Sequence, residues 1–338
     1  MRSFCAVLFL AGCMWAQCPR DAVFLGLTTG IGGFPLRANG NTAPCQAIPI
    51  PIPNLTGNSR SLAISRDGWL HTIEFLSDEM VETFAPAANG PVYPMLSERL
   101  GANDSVGLAV DARGNTFVAT MRGDGQILVL SPDAPSSGGF PPSLTGLCAV
   151  GGLAIDTDDN LVAIGVPAMG TGGCATIRQP LQVTTFATSQ TLNAPPILRT
   201  IVGSATGLLG PVGIALDPTS GELYVYDSDF QSVQVSVFPP GANGNVAPIR
   251  RIAGLQPGLP VPEALPSTNK IAVSADGRLF VAAPNHRVLV FAPGASGDVT
   301  PSQVIQDSTA DAAGLSQTSI AVRSCSCQLE PVRVRRPR

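Results

Sequence analysis

The chain has 338 residues and a formal charge of −4, with 13 % charged residues, 44 % hydrophobic residues, 36 Gly and 31 Pro. So high an apolar share with so little net charge excludes a disordered chain, and Gly and Pro recur too often for long helices or coiled coils. The balance is mildly acidic and no basic stripe runs through the body, which excludes nucleic acid as a partner. The basic residues are 19 Arg and the single Lys270.

In chain order, Met1-Arg2-Ser3 is a short positive start and Phe4 to Gly12 is apolar, with small residues at Ala11, Gly12 and Ala16. This pattern predicts an export signal over 1–16, cleaved after Ala16 and too short to span a bilayer. The alternative is a lipoprotein box, Leu10-Ala11-Gly12-Cys13, with a lipid on Cys13. No other stretch is apolar and long enough to form a transmembrane helix. Beyond the signal remain Cys18, Cys45, Cys148, Cys174, Cys325 and Cys327, an even set that reads as disulfides in an exported chain.

An apolar tripeptide then recurs: Leu62-Ala63-Ile64, Leu108-Ala109-Val110, Leu153-Ala154-Ile155, Ile214-Ala215-Leu216, Ile271-Ala272-Val273 and Ile320-Ala321-Val322, at spacings of 46, 45, 61, 57 and 49. Periods near these values mean a propeller, a solenoid or an array. A tight turn follows the first five copies. Ser65, Asp111, Asp156, Asp217 and Ser274 open these turns, and such side chains bond the backbone two residues on. Recurrence at equivalent positions gives the Asp residues a structural role. A second strand follows (Thr116–Ala119, Leu223–Tyr226, Leu279–Ala282), then a loop and a third (Ile127–Leu130, Val235–Phe238, Val288–Phe291). The third strand runs into Pro240-Gly241-Ala242-Asn243-Gly244-Asn245-Val246-Ala247-Pro248, matched by Pro293 to Pro301 and more weakly at Ala87 to Gly90 and Arg37 to Pro44. Asn-Gly between apolar runs predicts a hairpin, and Pro places the fourth strand at an edge. Each unit is therefore four antiparallel strands, the first innermost.

Val212-Gly213-Ile214-Ala215-Leu216-Asp217 with Gly221 to Val225, and Pro284 to Phe291, resemble NHL repeats, and the Pro-Gly-Ala tails resemble those of exported bacterial NHL-type or TolB-like propellers. The resemblance covers about residues 20 to 324 and is weakest over 150 to 205. The sixth first strand, Ser319 to Arg323, lacks a blade after it. Ala22 to Leu27, Gly33 to Leu36 and Ala43 to Ile48 lack a first strand before them. The expected architecture is thus an all-β, six-bladed β-propeller over 18–327, closed by a C-terminal strand pairing with N-terminal strands, with a basic tail over 328–338. In that register Cys18 meets Cys325 or Cys327 and would staple the ring, Cys148 and Cys174 form a second pair, and Cys45 takes the leftover cysteine.

The loops at one end of the channel offer Arg60, Asn103, Asp104, Asn269 and Lys270 before first strands, and Glu74, Asp227, Asp229, Asn285 and His286 between second and third strands. Of these, Arg60, Asp104, Asn269, Lys270, Asp229 and Asn285 are the ligand-binding candidates. Carboxylates and amides of this kind suit a hard cation such as calcium, and the resemblance extends to gluconolactonase-type hydrolases that hold a metal in this way. The two histidines, His71 and His286, are too few for a three-His zinc site, and no Gly-x-Ser-x-Gly elbow is present. The reading is an exported, non-enzymatic binding module for a protein or glycan ligand, compatible with a monomer. A metal-dependent hydrolase or lyase at the channel mouth is the alternative.

Overall fold

A computed structural model describes residues 21–27, 30–49, 61–75, 79–101, 105–120, 126–132, 143–144, 147–148, 151–167, 181–192, 195–229, 231–261, 270–307 and 319–324. The expected signal, the basic tail, Cys18, Cys174, Cys325 and Cys327 lie outside these residues. Among those described, the strands form six sheets, each built on four antiparallel strands.

Blade 1 holds β1 (Ala22–Leu27), β2 (Gly30–Pro35) and, after the short β3 (Gly40–Thr42), β4 (Gln46–Pro49). Blade 2 holds β5 (Leu62–Ile64), β6 (Leu70–Phe75), β7 (Glu79–Phe84) and β8 (Leu96–Arg99). Blade 3 runs β9 (Ser105–Val110), β10 (Thr116–Thr120), β11 (Ile127–Leu130) and β12 (Ser143–Leu144). Blade 4 has β13 (Leu147–Cys148) and β14 (Leu153–Ile155) both pairing β15 (Leu161–Pro167), then β16 (Gln182–Phe186) and β17 (Ile197–Ile201). Blade 5 is β18 (Pro211–Leu216), β19 (Leu223–Ser228), β20 (Val233–Phe238) and β21 (Arg250–Ala253). Blade 6 is β22 (Ile271–Val273), β23 (Leu279–Ala283), β24 (Arg287–Phe291) and β25 (Gln303–Asp307). The last strand, β26 (Ile320–Arg323), completes blade 1 by pairing antiparallel with β1, Leu25 opposite Ile320 and Ala22 opposite Arg323. The ring closes as the sequence predicts.

Period-2 alternation explains why the blades stack. Along β15, Leu161 and Ala163 pack against blade 3 while Val162 and Ile164 pack against blade 5. Every blade does the same, so the core is six clusters, one in each seam between neighbours. The first-to-second turns define one end of the ring, the turn face. Asp111 Oδ1 accepts the N–H of Arg113 and Asn115 (3.0 and 2.8 Å), Asp156 does the same for Asp158 and Asn160, and Asp217 for Thr219 and Ser220. These carboxylates hold turns, as their recurrence implied.

The Asn-Gly segments differ from the hairpin expected of them. Each lies in a long connection between third and fourth strands and grips the outermost strand of the preceding blade. Asn89 Oδ1 accepts the N–H of Ala47 (2.9 Å) while the N–H of Gly90 donates to the Ala47 carbonyl (2.7 Å). Asn243 and Gly244 bracket Thr200 with the same distances, 2.9 and 2.7 Å. Gly297 donates to the Arg251 carbonyl. Asn39 accepts the N–H of Val304 (3.1 Å), and β3 lies parallel on β25 with Gly40 beside Ile305. The glycines stand at φ +72, +77, +76 and +81 (Gly40, Gly90, Gly244, Gly297) with nothing within 4 Å of an added Cβ at any of the four, so backbone conformation alone calls for glycine. These latches cover sheet edges that would otherwise be bare, and the one from Asn39 to β25 closes the ring a second time.

Candidate functional site

The innermost strands begin at the end opposite the turns, and the loops between second and third strands share that end. This is the mouth face. The residue before each apolar tripeptide stands there: Ser61, Gly107, Gly152, Gly213, Lys270 and Ser319. Taken round the ring, these positions split into two arcs.

On blades 3 to 5 all three are glycine, and the inner strands touch. A Cβ on Gly107 would lie 2.5 Å from the carbonyl oxygen of Gly151, and one on Gly152 3.1 Å from the nitrogen of Ile214. At these two seams backbone sits where side chains would be, and this is called the sealed arc. The buried carboxylate of Asp227 on blade 5 accepts the N–H groups of Leu209 and Gly210 (2.8 and 2.6 Å) and the Gln234 amide (2.7 Å). Burial pushes its carboxyl up, against these hydrogen bonds. Asp227 is thereby a backbone brace.

On blades 6, 1 and 2, reaching the edge of blade 3, buried polar side chains take over. Alternation from Ala272 and Ile305 puts Lys270 and Asp307 into the seam between blades 6 and 1, and His286 ends the same blade, where the backbone N–H of Asp307 bonds its carbonyl (3.3 Å). His286 is buried at φ +54, and its Nδ1 has no partner. Ser319 and Glu74 fall in the next seam, since Ala321 and Leu70 of the same faces pack there. Glu74 is 1 % exposed and neither carboxylate oxygen has a hydrogen-bond partner. Its pKa is raised to about 8, first by burial and then by Glu82 on the neighbouring strand. Glu74 therefore keeps its proton at neutral pH. In the seam between blades 2 and 3, Glu79 reaches from β7 and accepts the backbone N–H of Ser105 with both oxygens (3.0 and 3.2 Å). The hydroxyls of Ser61 and Ser105 are wholly buried and unpartnered.

Exposed apolar side chains stand where blade 5 meets blade 6. Leu209 stands before β18, and Leu255 (92 % exposed) and Val261 stand on the connection from β21 toward blade 6. That connection is anchored from below by Leu259, buried in the seam between blades 5 and 6, and by the Tyr226 hydroxyl, which donates to the Pro260 carbonyl.

Of the residues singled out in the sequence, Arg60, Asp104 and Asn269 lie outside the described residues. Lys270 belongs to the polar arc. Asn285 is exposed at φ +60 beside His286, and its carbonyl accepts the Gln306 amide (2.7 Å). Asp229 is apart from the arc: on blade 5 it accepts the N–H groups of Ser232 and Gln231 (2.7 and 3.0 Å), which hold its carboxyl below its ordinary range. It is a turn residue. His71 sits away from the mouth, its Nδ1 3.1 Å from the Thr83 hydroxyl, and burial lowers its pKa to about 4. Ser61, Glu79, Ser105, Asp307 and Ser319 went unnoticed in the sequence, although the changing residue before each tripeptide was the visible sign of an asymmetric ring. Among the described residues no group of three or more His, Cys, Asp or Glu is placed to hold a metal ion; Asp104 and Asn269, named with the calcium expectation, lie outside those residues. No helix among them is long and apolar enough to cross a membrane.

No protein-family model matches the chain, and no curated protein matches it. Solved structures do. A chain from the nidogen/laminin complex aligns with a TM-score of 0.60 at 17 % identity, over 90 % of this chain and 100 % of that one. A protein of unknown function from Bacteroides caccae aligns at 0.53 and 10 % identity, over 90 % and 98 %. A gluconolactonase from Xanthomonas campestris reaches only 0.45 at 18 % identity, over 69 % and 72 %, and carries no argument. At such identities the first two matches speak for the fold alone, and this chain is a six-bladed β-propeller.

Proposed function

We propose that the protein is a non-enzymatic binding propeller of NHL type that takes a protein or glycan ligand on its mouth face. The observation that carries this is the asymmetry of the mouth. Buried polar groups without partners (Ser61, Glu74 and His286 Nδ1) gather on one arc, while on the other Asp227 is fully bonded and glycines let backbones approach, and exposed Leu209, Leu255 and Val261 stand where blade 5 meets blade 6. A surface with apolar anchors beside a polar rim is how interfaces are built. The nidogen/laminin match supports the reading by showing this ring within a protein complex. The test is a glycan array and a displayed-peptide panel probed with the intact protein, then with Leu255→Ser, Lys270→Ala and the turn-face variant Asp158→Ala. The reading expects binding that Leu255→Ser and Lys270→Ala weaken and Asp158→Ala spares. A ligand lost only with Asp158→Ala overturns it.

We also propose export, through the amino-terminal signal, to an oxidising compartment. The even set of six cysteines beyond the signal supports it. Cell fractionation tests it, and recovery in the membrane fraction would favour the lipid on Cys13.

A hydrolase or lyase at the mouth is favoured by Glu74 alone, a carboxylic acid kept protonated at neutral pH as a general acid must be. Elemental analysis before and after a chelator, with a lactone and ester screen, decides it. Turnover abolished by Glu74→Gln would displace the binding module.

A further inference from the structure

The chain contains three Asn-Gly pairs, Asn39-Gly40, Asn89-Gly90 and Asn243-Gly244, and all three are latches. Asn followed by Gly is the dipeptide in which the next backbone nitrogen most readily attacks the side-chain amide, because glycine has no Cβ to hinder it. In two latches both reacting groups grip one residue of the neighbouring blade. The Asn89 amide oxygen and the Gly90 N–H hold the N–H and carbonyl of Ala47, and Asn243 and Gly244 hold those of Thr200. In the third, the Asn39 oxygen holds the N–H of Val304 and Gly40 runs in the parallel ladder beside Ile305. Attack requires the glycine N–H to leave its acceptor and lose its proton, and the Asn side chain to turn its amide carbon onto that nitrogen. Each movement breaks a latch bond.

We propose that these three asparagines are sites of spontaneous deamidation gated by the blade seams: unreactive while the latch is closed, and modified when it opens. The balanced step is simple. The glycine nitrogen gives its proton to hydroxide and bonds the Asn Cγ, the Cγ–Nδ2 bond breaks as the nitrogen takes a proton from water, and ammonia leaves a five-membered imide with hydroxide regenerated. Water then opens the imide to Asp at one carbonyl or isoaspartate at the other. Asp keeps an oxygen able to accept the neighbour's N–H. Isoaspartate routes the main chain through the side-chain carbon, so the oxygen and the glycine N–H no longer bracket one residue, and that latch cannot re-form. The modification would record, seam by seam, how often the ring has opened.

The experiment incubates the full chain in mildly alkaline buffer, folded and in urea, and follows each Asn-Gly peptide by mass spectrometry that separates Asp from isoaspartate. The folded protein should react about tenfold more slowly or less at all three sites, since two hydrogen bonds must break first at Asn89 and Asn243, and the Asn39–Val304 bond and the parallel ladder must open at Asn39. Ala47→Pro removes only the N–H that Asn89 accepts, on an edge strand that tolerates proline. It should speed Asn89 about fivefold while Asn243 keeps its rate. Thr200→Pro makes the reciprocal demand, speeding Asn243 and sparing Asn89. Equal rates folded and unfolded, or acceleration at the wrong site in both variants, overturn the proposal.

Discussion

The two arcs of the mouth are made from the same strand, at the same position, in different blades. On blades 3 to 5 the residue before the tripeptide is glycine, and neighbouring backbones come into contact. On blades 6, 1 and 2 it is Lys270, Ser319 and Ser61, and polar groups occupy the seams. The difference teaches where a repeat protein can vary. The tripeptide itself packs into the seams on both sides and is held to small and medium apolar residues. The residue before it answers only to how closely the next inner strand approaches.

The sharpest way to break the comparison is to put a side chain into the sealed arc. Gly107→Val sets a Cβ 2.5 Å from a carbonyl oxygen that belongs to backbone and cannot turn aside. Urea unfolding should show a loss of about 3 kcal/mol or more, and a change under about 1 kcal/mol would mean the arcs are not sealed differently. Glu79→Ala comes next. It leaves the buried N–H of Ser105 without its acceptor, and should cost about 2–3 kcal/mol in the same measurement.

The polar arc also makes a pH prediction. Glu74 holds its proton up to about pH 8 in the folded chain but only to the ordinary carboxylate range when unfolded. Between those limits the folded state binds the extra proton, so stability is fully present at acid pH and falls as pH rises toward 8. Glu74→Gln cannot ionise and should exceed the parent by about 2 kcal/mol or more at pH 9 while matching it near pH 4. Parallel stability profiles would refute the assignment. His71 works in the opposite sense: its lowered pKa, about 4, costs stability as pH falls from 6.5 through 4. The smallest effect belongs to Ser61→Ala, which removes a buried hydroxyl that bonds nothing. Thermal denaturation should find it neutral or more stable by up to about 1 kcal/mol.

Strand identity, blade count and the β26–β1 closure were legible in the sequence because each rests on local pattern: alternation, turn chemistry and an incomplete repeat at either end. Asp111, Asp156 and Asp217 were legible for the same reason, since their partners lie two to four residues away. The Asn-Gly latches were not. Their glycines need positive φ just as a hairpin turn does, and the sequence carries no mark that the bonded strand belongs to another blade, 42 residues away at Asn89 and 265 at Asn39. The polar arc was half visible. Glu74, Lys270 and His286 stood out by type, whereas Ser61 is an ordinary residue made notable by a buried hydroxyl without a partner, and Ser319 one made notable by its place in the ring.

The latches also impose an order on synthesis. On blades 1, 4 and 5 the outer edge is covered by the loop of the blade that follows, so β4 remains bare until Asn89 has left the ribosome and β17 until Asn243 has. The edge of β25 waits for nothing, because its clasp, Asn39, was made long before it. At these blades the nascent chain exposes a fresh strand edge until the next loop emerges, whereas the blade translated last finds its cover already made.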